Sequence, residues 1–340
     1  MTTLPFDLFI DPRFREVYQQ QPVVLVDVGA RGGLKRNWHA ARPHLHVLGF
    51  EPDKREYERL TSTPTPDPAT TWFDVALNNR SGPIRLHIAR DRGLTSIFEP
   101  DRTLLDTFPQ ANRFDTIDVQ QVEADKLDAL IERRGVKDVD FLKVDTQGSE
   151  LLVLEGATQT LDRWAVGAEV EVEFTPIYRE QPVFADVDRF LRQRGFLLFD
   201  LRPCYWKRAA GSTVGGPRGQ IIWADALYLR SVPSLRVTID RLDPAMRKAK
   251  LLKALSITAL YGYFDYALEL LHALGDLLTP EERAIADRWL RTSGGQIATS
   301  PLPGQRFVAS VLHRLWKLAQ PRAADADAWS VSDAELGNLR

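Results

Sequence analysis

The sequence predicts an α/β fold, a mostly parallel sheet with helices on both faces, followed by a region built from helices alone. Two observations carry the first half. Short apolar, β-branched runs alternate with amphipathic stretches from residue 23 to residue 230, the pattern of consecutive βα units. Val23, Val24, Leu25, Val26 and Val28 form a nearly continuous apolar run, as a strand covered on both faces requires. The third observation is a change of period: beyond about residue 235 the apolar residues recur at helical spacing only.

In chain order, strands are expected over 23–30, 46–52, 71–77, 140–146, 166–174, 196–201 and 221–230, and helices over 54–61, 123–134, 149–161 and 184–194. The stretch 61–70, TSTPTPDPAT, is rich in turn formers and is expected to be an exposed loop. IRLHIAR at 84–90 alternates apolar and polar after Ser81-Gly82-Pro83, which predicts an extra edge strand. The glycine-rich, basic segment 207–220 suits a mobile hairpin loop between the last two strands. In the helical region, Gly262 divides 251–274 into two helices, and Thr279-Pro280-Glu281-Glu282 is a helix start with Thr279 as cap. FVASVLHRLWKL at 307–318 is a further amphipathic segment. The expected organisation is an N-terminal extension (1–21), a catalytic domain (22–232), a helical domain (233–320) and a flexible tail (321–340) poor in core formers.

The chain has 340 residues with 44 Lys and Arg against 46 Asp and Glu, a net charge of −2 that gives nucleic acid no electrostatic footing. A lone cysteine, Cys204, excludes an intrachain disulfide and a cysteine-based zinc cluster. The N-terminus MTTLPFDLFIDPRF lacks a basic stretch followed by an apolar one, and no apolar run reaches membrane-spanning length, so a cytoplasmic location without a transmembrane segment is expected. The helical region is expected to pack on the catalytic domain or to make a homodimer or other protein contact.

The richest stretch is VVLVDVGARGG at 23–33, an apolar strand running into a glycine turn. Glycines there permit positive φ and a close approach of backbone to a ligand. The spacing Gly29-Ala30-Arg31-Gly32-Gly33 is not the dinucleotide G-x-G-x-x-G, which disfavours a nicotinamide-dependent oxidoreductase, and no Gly-Lys-Ser/Thr follows to make a P-loop. A second strand, HVLGFEPD, ends at Glu51, about twenty residues on, where an acid accepts hydrogen bonds from ribose hydroxyls. Turn and acid together point to an adenosine-containing ligand.

VDVGARGG, GFEPD, DFLKVDTQGSELLVLEGA at 140–157 and EVEFTPIYREQPVFADVDRFLRQRGF at 171–196 together resemble the FkbM family of S-adenosylmethionine-dependent methyltransferases, over about residues 22–230. The resemblance implies a seven-stranded Rossmann-like sheet and methyl transfer to a hydroxyl, often on a sugar, polysaccharide or polyketide-type product. It further implies that Asp27, Gly29, Ala30, Arg31, Gly32 and Gly33 surround the methionine part of the cofactor. Glu51 would bind the ribose, Pro52 and Asp53 would flank the adenine, and Asp74, Val75 and Ala76 would touch its edge. Ser96 stands where the family often has serines beside the active site, with a loop cap as the competing view.

Methyl transfer to an alcohol requires close positioning and removal of a proton of high pKa. All six histidines lie outside the fourth and fifth strands, so carboxylates are the better candidates. Asp145, before Thr146-Gln147-Gly148, is expected at the cofactor cleft, with Gln147 touching the acceptor. Glu169, Glu171 and Glu173 are two apart on the fifth strand and share a face. Acids so placed need compensation, from Lys143, from Arg179, from substrate hydroxyls or from a divalent metal on Asp145 and Glu171, the metal being the less favoured option. Lys143 is either catalytic or a structural ion-pair partner, and Tyr178 either a substrate contact or an apolar anchor. The competing function is a catalytically silent binding or scaffold protein acting through its helical region.

Overall fold

The computed structural model describes residues 7–62, 69–215, 219–294, 304–319, 329–331 and 336. In chain order the elements are α1 (Asp7–Ile10), α2 (Pro12–Gln20), β1 (Val23–Val28), β2 (Leu45–Phe50), α3 (Lys54–Ser62), β3 (Thr70–Phe73), β4 (Ala76–Leu77), β5 (Gly82–Ala89), α4 (Arg102–Leu105), β6 (Thr116–Asp125), α5 (Leu127–Arg133) and β7 (Phe141–Val144). There follow α6 (Glu150–Gly156), α7 (Thr158–Arg163), β8 (Gly167–Glu173), α8 (Phe184–Arg192), β9 (Phe196–Trp206), β10 (Gln220–Arg230), α9 (Val232–Asp240), α10 (Pro244–Leu260), α11 (Phe264–Leu274), α12 (Pro280–Gly294), α13 (Gln305–Ala319) and β11 (Trp329–Val331).

The main sheet runs in the order β11-β9-β10-β8-β7-β1-β2-β3. Strands β3, β2, β1, β7 and β8 are parallel, while β10 is antiparallel to both β8 and β9. This is the expected seven-stranded sheet with one short addition, since Trp329–Val331 pairs along the β9 edge. The tail was expected to be flexible; apart from those three residues and 336 it lies outside the described residues, as do 63–68 of the expected 61–70 loop.

Strand periodicity sorts the core into two halves. Odd-numbered side chains such as Val23, Leu25, Leu45, Val47, Phe141, Leu227 and Leu229 pack with α2 and with the helices after residue 232. Even-numbered ones, among them Val24, Val26, Leu142, Val144, Ala168, Val170 and Tyr228, pack with α5 to α8. The C-terminal helices therefore cover one sheet face. Gly262, at φ +79°, separates α10 from α11. At the start of α12, Thr279 Oγ1 accepts from Glu282 N at 3.2 Å and Glu282 Oε2 accepts from Thr279 N at 3.0 Å, a reciprocal cap.

Several expected elements differ: the helix 149–161 is two helices, α6 and α7, and the strand 196–201 runs on to Trp206 as β9. The strand 71–77 is two strands: β3 pairs with β2 in the main sheet, and β4 pairs with β6 in a second, three-stranded sheet β4-β6-β5. The helix 123–134 begins only at Leu127, because residues up to Asp125 extend β6 against the expected edge strand, now β5. Ile117 and Val119 of β6 are 55% and 50% exposed, so no buried face announces this strand in the sequence.

The helical layer is tied to the sheet by a buried charge cluster. Lys250 and Lys253 on α10 are fully buried, and both reach Asp138 and Asp140 just before β7. Asp140 Oδ2 also accepts from Val24 N at 2.8 Å, so the cluster joins α10, β7 and β1. Among the described residues no helix is long and apolar enough to cross a membrane. Replacing Lys250 with Met should strand part of this buried negative charge and lower unfolding stability by about 3 kcal/mol in urea titration; a loss under about 1 kcal/mol would mean that the cluster does not tie the layers together.

Candidate active site

The candidate site opens at the C-terminal ends of the parallel strands, where ligands of open α/β sheets sit. Gly29 ends β1 at φ +70°, and a Cβ there would lie 1.9 Å from the Asp145 carbonyl oxygen. This glycine is thus dictated by the contact of two strand ends. Gly32 and Gly33 also have positive φ, but a Cβ on either would meet nothing. Between β1 and β7 stands Lys143, whose Nζ donates to the Gly29 carbonyl at 2.9 Å and lies 3.3 Å from Asp27 and 3.5 Å from Asp145. Burial works against its ammonium, but Asp27, Asp145 and Glu169 outweigh it and hold the pKa above the ordinary lysine range.

A cavity follows the strand ends from β2 to β8. Its apolar walls include Val28, Phe50, Val75, Ala76, Leu77 and Ile97, and its polar groups include Glu51, Asp53, Asp145 and Gln147, with Gly29, Arg31 and Pro52 completing that side. Glu51 Oε1 accepts from Asp53 N at 2.9 Å. Burial, with Asp53 and Glu56 nearby, pushes the Glu51 carboxyl up to about 7. Asp53 is held by Arg92, with contacts of 2.8 and 2.6 Å. Of the other expected cofactor residues, Asp27 and Ala30 are buried behind the lining, Gly32 opens onto an adjoining cleft with Arg31, Arg55 and Arg59, Gly33 lies outside it, and Asp74 is exposed away from it.

Gln147 organises the acids. Its backbone is left-handed, at φ +59°. Its Nε2 donates to Glu171 Oε1 at 2.6 Å and to Asp145 Oδ1 at 3.2 Å. The buried Tyr178 hydroxyl donates to the Leu94 carbonyl at 3.0 Å and lies 3.3 Å from Gln147 Oε1, and Ser96 Oγ donates to the Gln147 carbonyl at 2.6 Å. Both residues therefore hold the Gln147 loop from behind. Glu150, at the start of α6, accepts from Thr146 N at 2.7 Å and from Gly148 N at 3.0 Å. This acid shapes the turn, a role not legible before the fold was known.

Glu169, Glu171 and Glu173 do share a face of β8, with different partners. Glu169 pairs with Lys35 and accepts from the Tyr261 hydroxyl at 2.7 Å. Glu171 has the Gln147 amide, and burial followed by Asp145, Glu173 and Glu150 raises its pKa well above the usual carboxylate range. Glu173 is buried and raised likewise, burial and Glu150 overcoming the Gln181 amide beside it. Arg179 instead faces Glu99 at the surface. Among the described residues no group of three or more His, Cys, Asp or Glu side chains is arranged to hold a metal ion.

Gln147 and Glu171 also line a second cavity that continues from the first past Gly93. Its other walls are aromatic and charged: Phe114, Trp206, a partly exposed Trp223, and Arg113, which donates to Asp91 Oδ2 at 2.7 and 3.1 Å. Trp206 packs edge-on to Phe108 at 5.4 Å and lies 5.9 Å from Phe114. The sequence does not single out these residues, because Arg113, Trp206 and Trp223 come from separate elements and none sits in a local motif.

A family model described as Methyltransferase FkbM domain matches residues 27–198. The 2-O-methyltransferase NoeI of Sinorhizobium fredii (strain NBRC 101917 / NGR234) is 30% identical over 148 residues, which are 41% of this chain and 59% of that relative. The chain thus spans less than two thirds of that relative's length. Among solved structures, a methyltransferase FkbM from Methylobacillus flagellatus KT aligns with a TM-score of 0.36 at 15% identity, over 61% of this chain and 43% of that one. A precorrin-6y C5,15-methyltransferase from Geobacter metallireducens GS-15 aligns at 0.29 and 11% identity, over 66% and 90%. Scores this low carry no functional weight.

The two kinds of glycine separate by mutation. Gly29→Ala combines left-handed strain with the Asp145 contact and should cost about 3 kcal/mol or more, read as a fall in thermal midpoint. Gly32→Ala meets open space and should cost only its backbone strain, about 1 kcal/mol. Equal losses would remove the strand-end contact as the reason for Gly29.

Proposed function

The chain belongs to the FkbM methyltransferase family, and from that premise we propose that it transfers a methyl group from S-adenosylmethionine to a hydroxyl oxygen of a sugar-like acceptor. The observation that carries this reading is the position of Glu171, which lines both the cavity at the strand ends and the aromatic one. The relative's name, a 2-O-methyltransferase, is in keeping with an oxygen acceptor.

The residues present fit the donor. Glu51, with one carboxylate oxygen taken by Asp53 N, would hold the ribose hydroxyls. Phe50 and the Val75–Leu77 stretch offer the adenine apolar walls, and Gly29 and Asp145 would face the methionine part. When bound, S-adenosylmethionine supplies a methyl carbon activated by its positively charged sulfur. Everything else falls to the protein.

Glu171 is the group assigned to take the acceptor's hydroxyl proton. A carboxyl group with raised pKa is a stronger proton acceptor than an ordinary surface glutamate, provided it is ionised. Gln147 fixes it relative to Asp145, and Tyr178, whose phenol is held protonated by burial and nearby acids, fixes the Gln147 loop. Lys143 is a positioning residue at the strand ends. On the acceptor side, Trp223 offers an indole face to the C–H surface of a pyranose, while Arg113, Asp91 and Gln147 supply hydrogen bonds at its rim. Residues 22–232 would hold donor and acceptor, with 233–320 as their structural support, and the reaction is assigned to the cytoplasm.

Glu51 gives a signed pH dependence. Its carboxyl is raised to about 7, so below that pH it is mostly protonated and accepts ribose hydroxyls poorly. Affinity for S-adenosylhomocysteine, measured by calorimetry, should rise about fivefold between about pH 6 and pH 8, and Glu51→Gln should flatten the profile. Undetectable binding would remove the donor assignment itself. For the chemistry, Glu171→Gln should lower kcat about a hundredfold or more with little change in S-adenosylhomocysteine affinity, whereas Trp223→Ala should raise the acceptor KM about tenfold with kcat largely kept. The reverse pattern would exchange the roles of the two residues.

A further inference from the structure

One helix lies outside the catalytic logic. Helix α13, Gln305–Ala319, places Phe307, Val308, Val311, Leu312 and Leu315 on one arc at about 100° per residue. Their exposures run from 38% to 72%, while the apolar side chains of β1, β2, β7 and β8 are buried. By the same spacing, Arg306, Ser310, His313 and Lys317 hold positions on the opposite arc, and Arg314 stands at its border beside Phe307.

Charge distinguishes the occupants of such a stripe. Between Asp287 and Asp325 the sequence has no acid, and it has six cations: Arg288, Arg291, Arg306, Arg314, Lys317 and Arg322. Three of these, Arg306, Arg314 and Lys317, stand on α13, which has no acid, so this helix carries +3 in a chain of net charge −2. A second copy docked through the same stripe would set two acid-free, basic segments side by side. An acidic bilayer surface satisfies both faces at once: the apolar arc enters the boundary between headgroups and acyl chains, and the cations meet the lipid phosphates. At fifteen residues the helix is too short to span a bilayer and suited to lie along one.

We propose that α13 is an interfacial helix that holds this protein reversibly on anionic lipid membranes. The attachment is independent of the methyl-transfer reading, and a single amphipathic helix of modest charge makes it weak and salt-sensitive.

The test is sedimentation of the full chain with vesicles of phosphatidylcholine alone and with roughly one-third phosphatidylglycerol, at low and high salt. The expected result is about tenfold stronger binding to the acidic vesicles, lost at high salt. Leu312→Asp and Arg314→Glu should each weaken it about fivefold or more, with unchanged thermal midpoints showing that the fold is intact. Absence of binding to acidic vesicles overturns the proposal, as does binding that neither variant weakens. A concentration-dependent dimer abolished by Leu312→Asp, without vesicle binding, overturns it in favour of a second copy.

Discussion

One buried ammonium holds the site together. Lys143 reaches the carboxylates of Asp27 and Asp145 and the carbonyl of Gly29, so it spans the ends of β1 and β7. The two strands meet so closely there that the Gly29 position has no room for a side chain. Without the cation, Asp27 would be a buried acid left facing Asp145, and burial of unpaired charge is far costlier than loss of an ordinary contact. The turn after β1 and the Thr146–Gly148 loop after β7 thus form one rigid edge.

This edge follows from how the sheet divides its odd face along the strands. Near the strand starts, odd positions are apolar and take the helical layer, Val23, Leu25 and Phe141 among them. Toward the ends they become Asp27, Lys143, Glu169, Glu171 and Glu173, joined across β10 by Asp225, which Arg202 holds. Even positions stay apolar along β7 and up to Val172 on β8. One strand periodicity therefore builds an apolar core and a charged, largely buried rim on the same face, and the C-terminal helices pack on the apolar end and reach the rim where Tyr261 donates to Glu169.

The parts of the molecule legible in the sequence were those whose signal is local. β1, β2 and β7 carry dense apolar runs bounded by glycine or acid, β8 alternates apolar residues with Glu169, Glu171 and Glu173, and Gly262 and Thr279 mark helix boundaries through their own backbone chemistry. β6 escaped because its apolar residues face solvent, and β9 runs on to Trp206 through Pro203, a residue that ordinarily argues against a strand interior. That the helices after residue 232 form a layer of the sheet is a long-range fact. So is the aromatic wall, where Phe114, Trp206 and Trp223 meet only after three distant segments are folded together. Glu51 and Gln147 were identified by position, but the raised carboxyl of the first and the bridging amide of the second depend on neighbours the sequence does not place.

Charge compensation at the rim explains why one acid combines raised proton affinity with access to both cavities. Glu169 has Lys35 and a tyrosine hydroxyl, Asp225 has Arg202, and Asp27 and Asp145 have Lys143. Each cation reaches that set first, so Glu171 is left with the neutral amide of Gln147, and Glu173 Oε1 is buried without a hydrogen-bond partner among the described residues. A neutral donor fixes the direction of Glu171 without strongly stabilising its charge, and burial leaves Glu173 less compensated still, so both keep a high proton affinity. Glu173 is buried at 1% exposure, whereas Glu171 lines both cavities. Among the described residues, raised proton affinity and access to both cavities coincide only at Glu171, and that coincidence follows from where the lysines and arginines are spent.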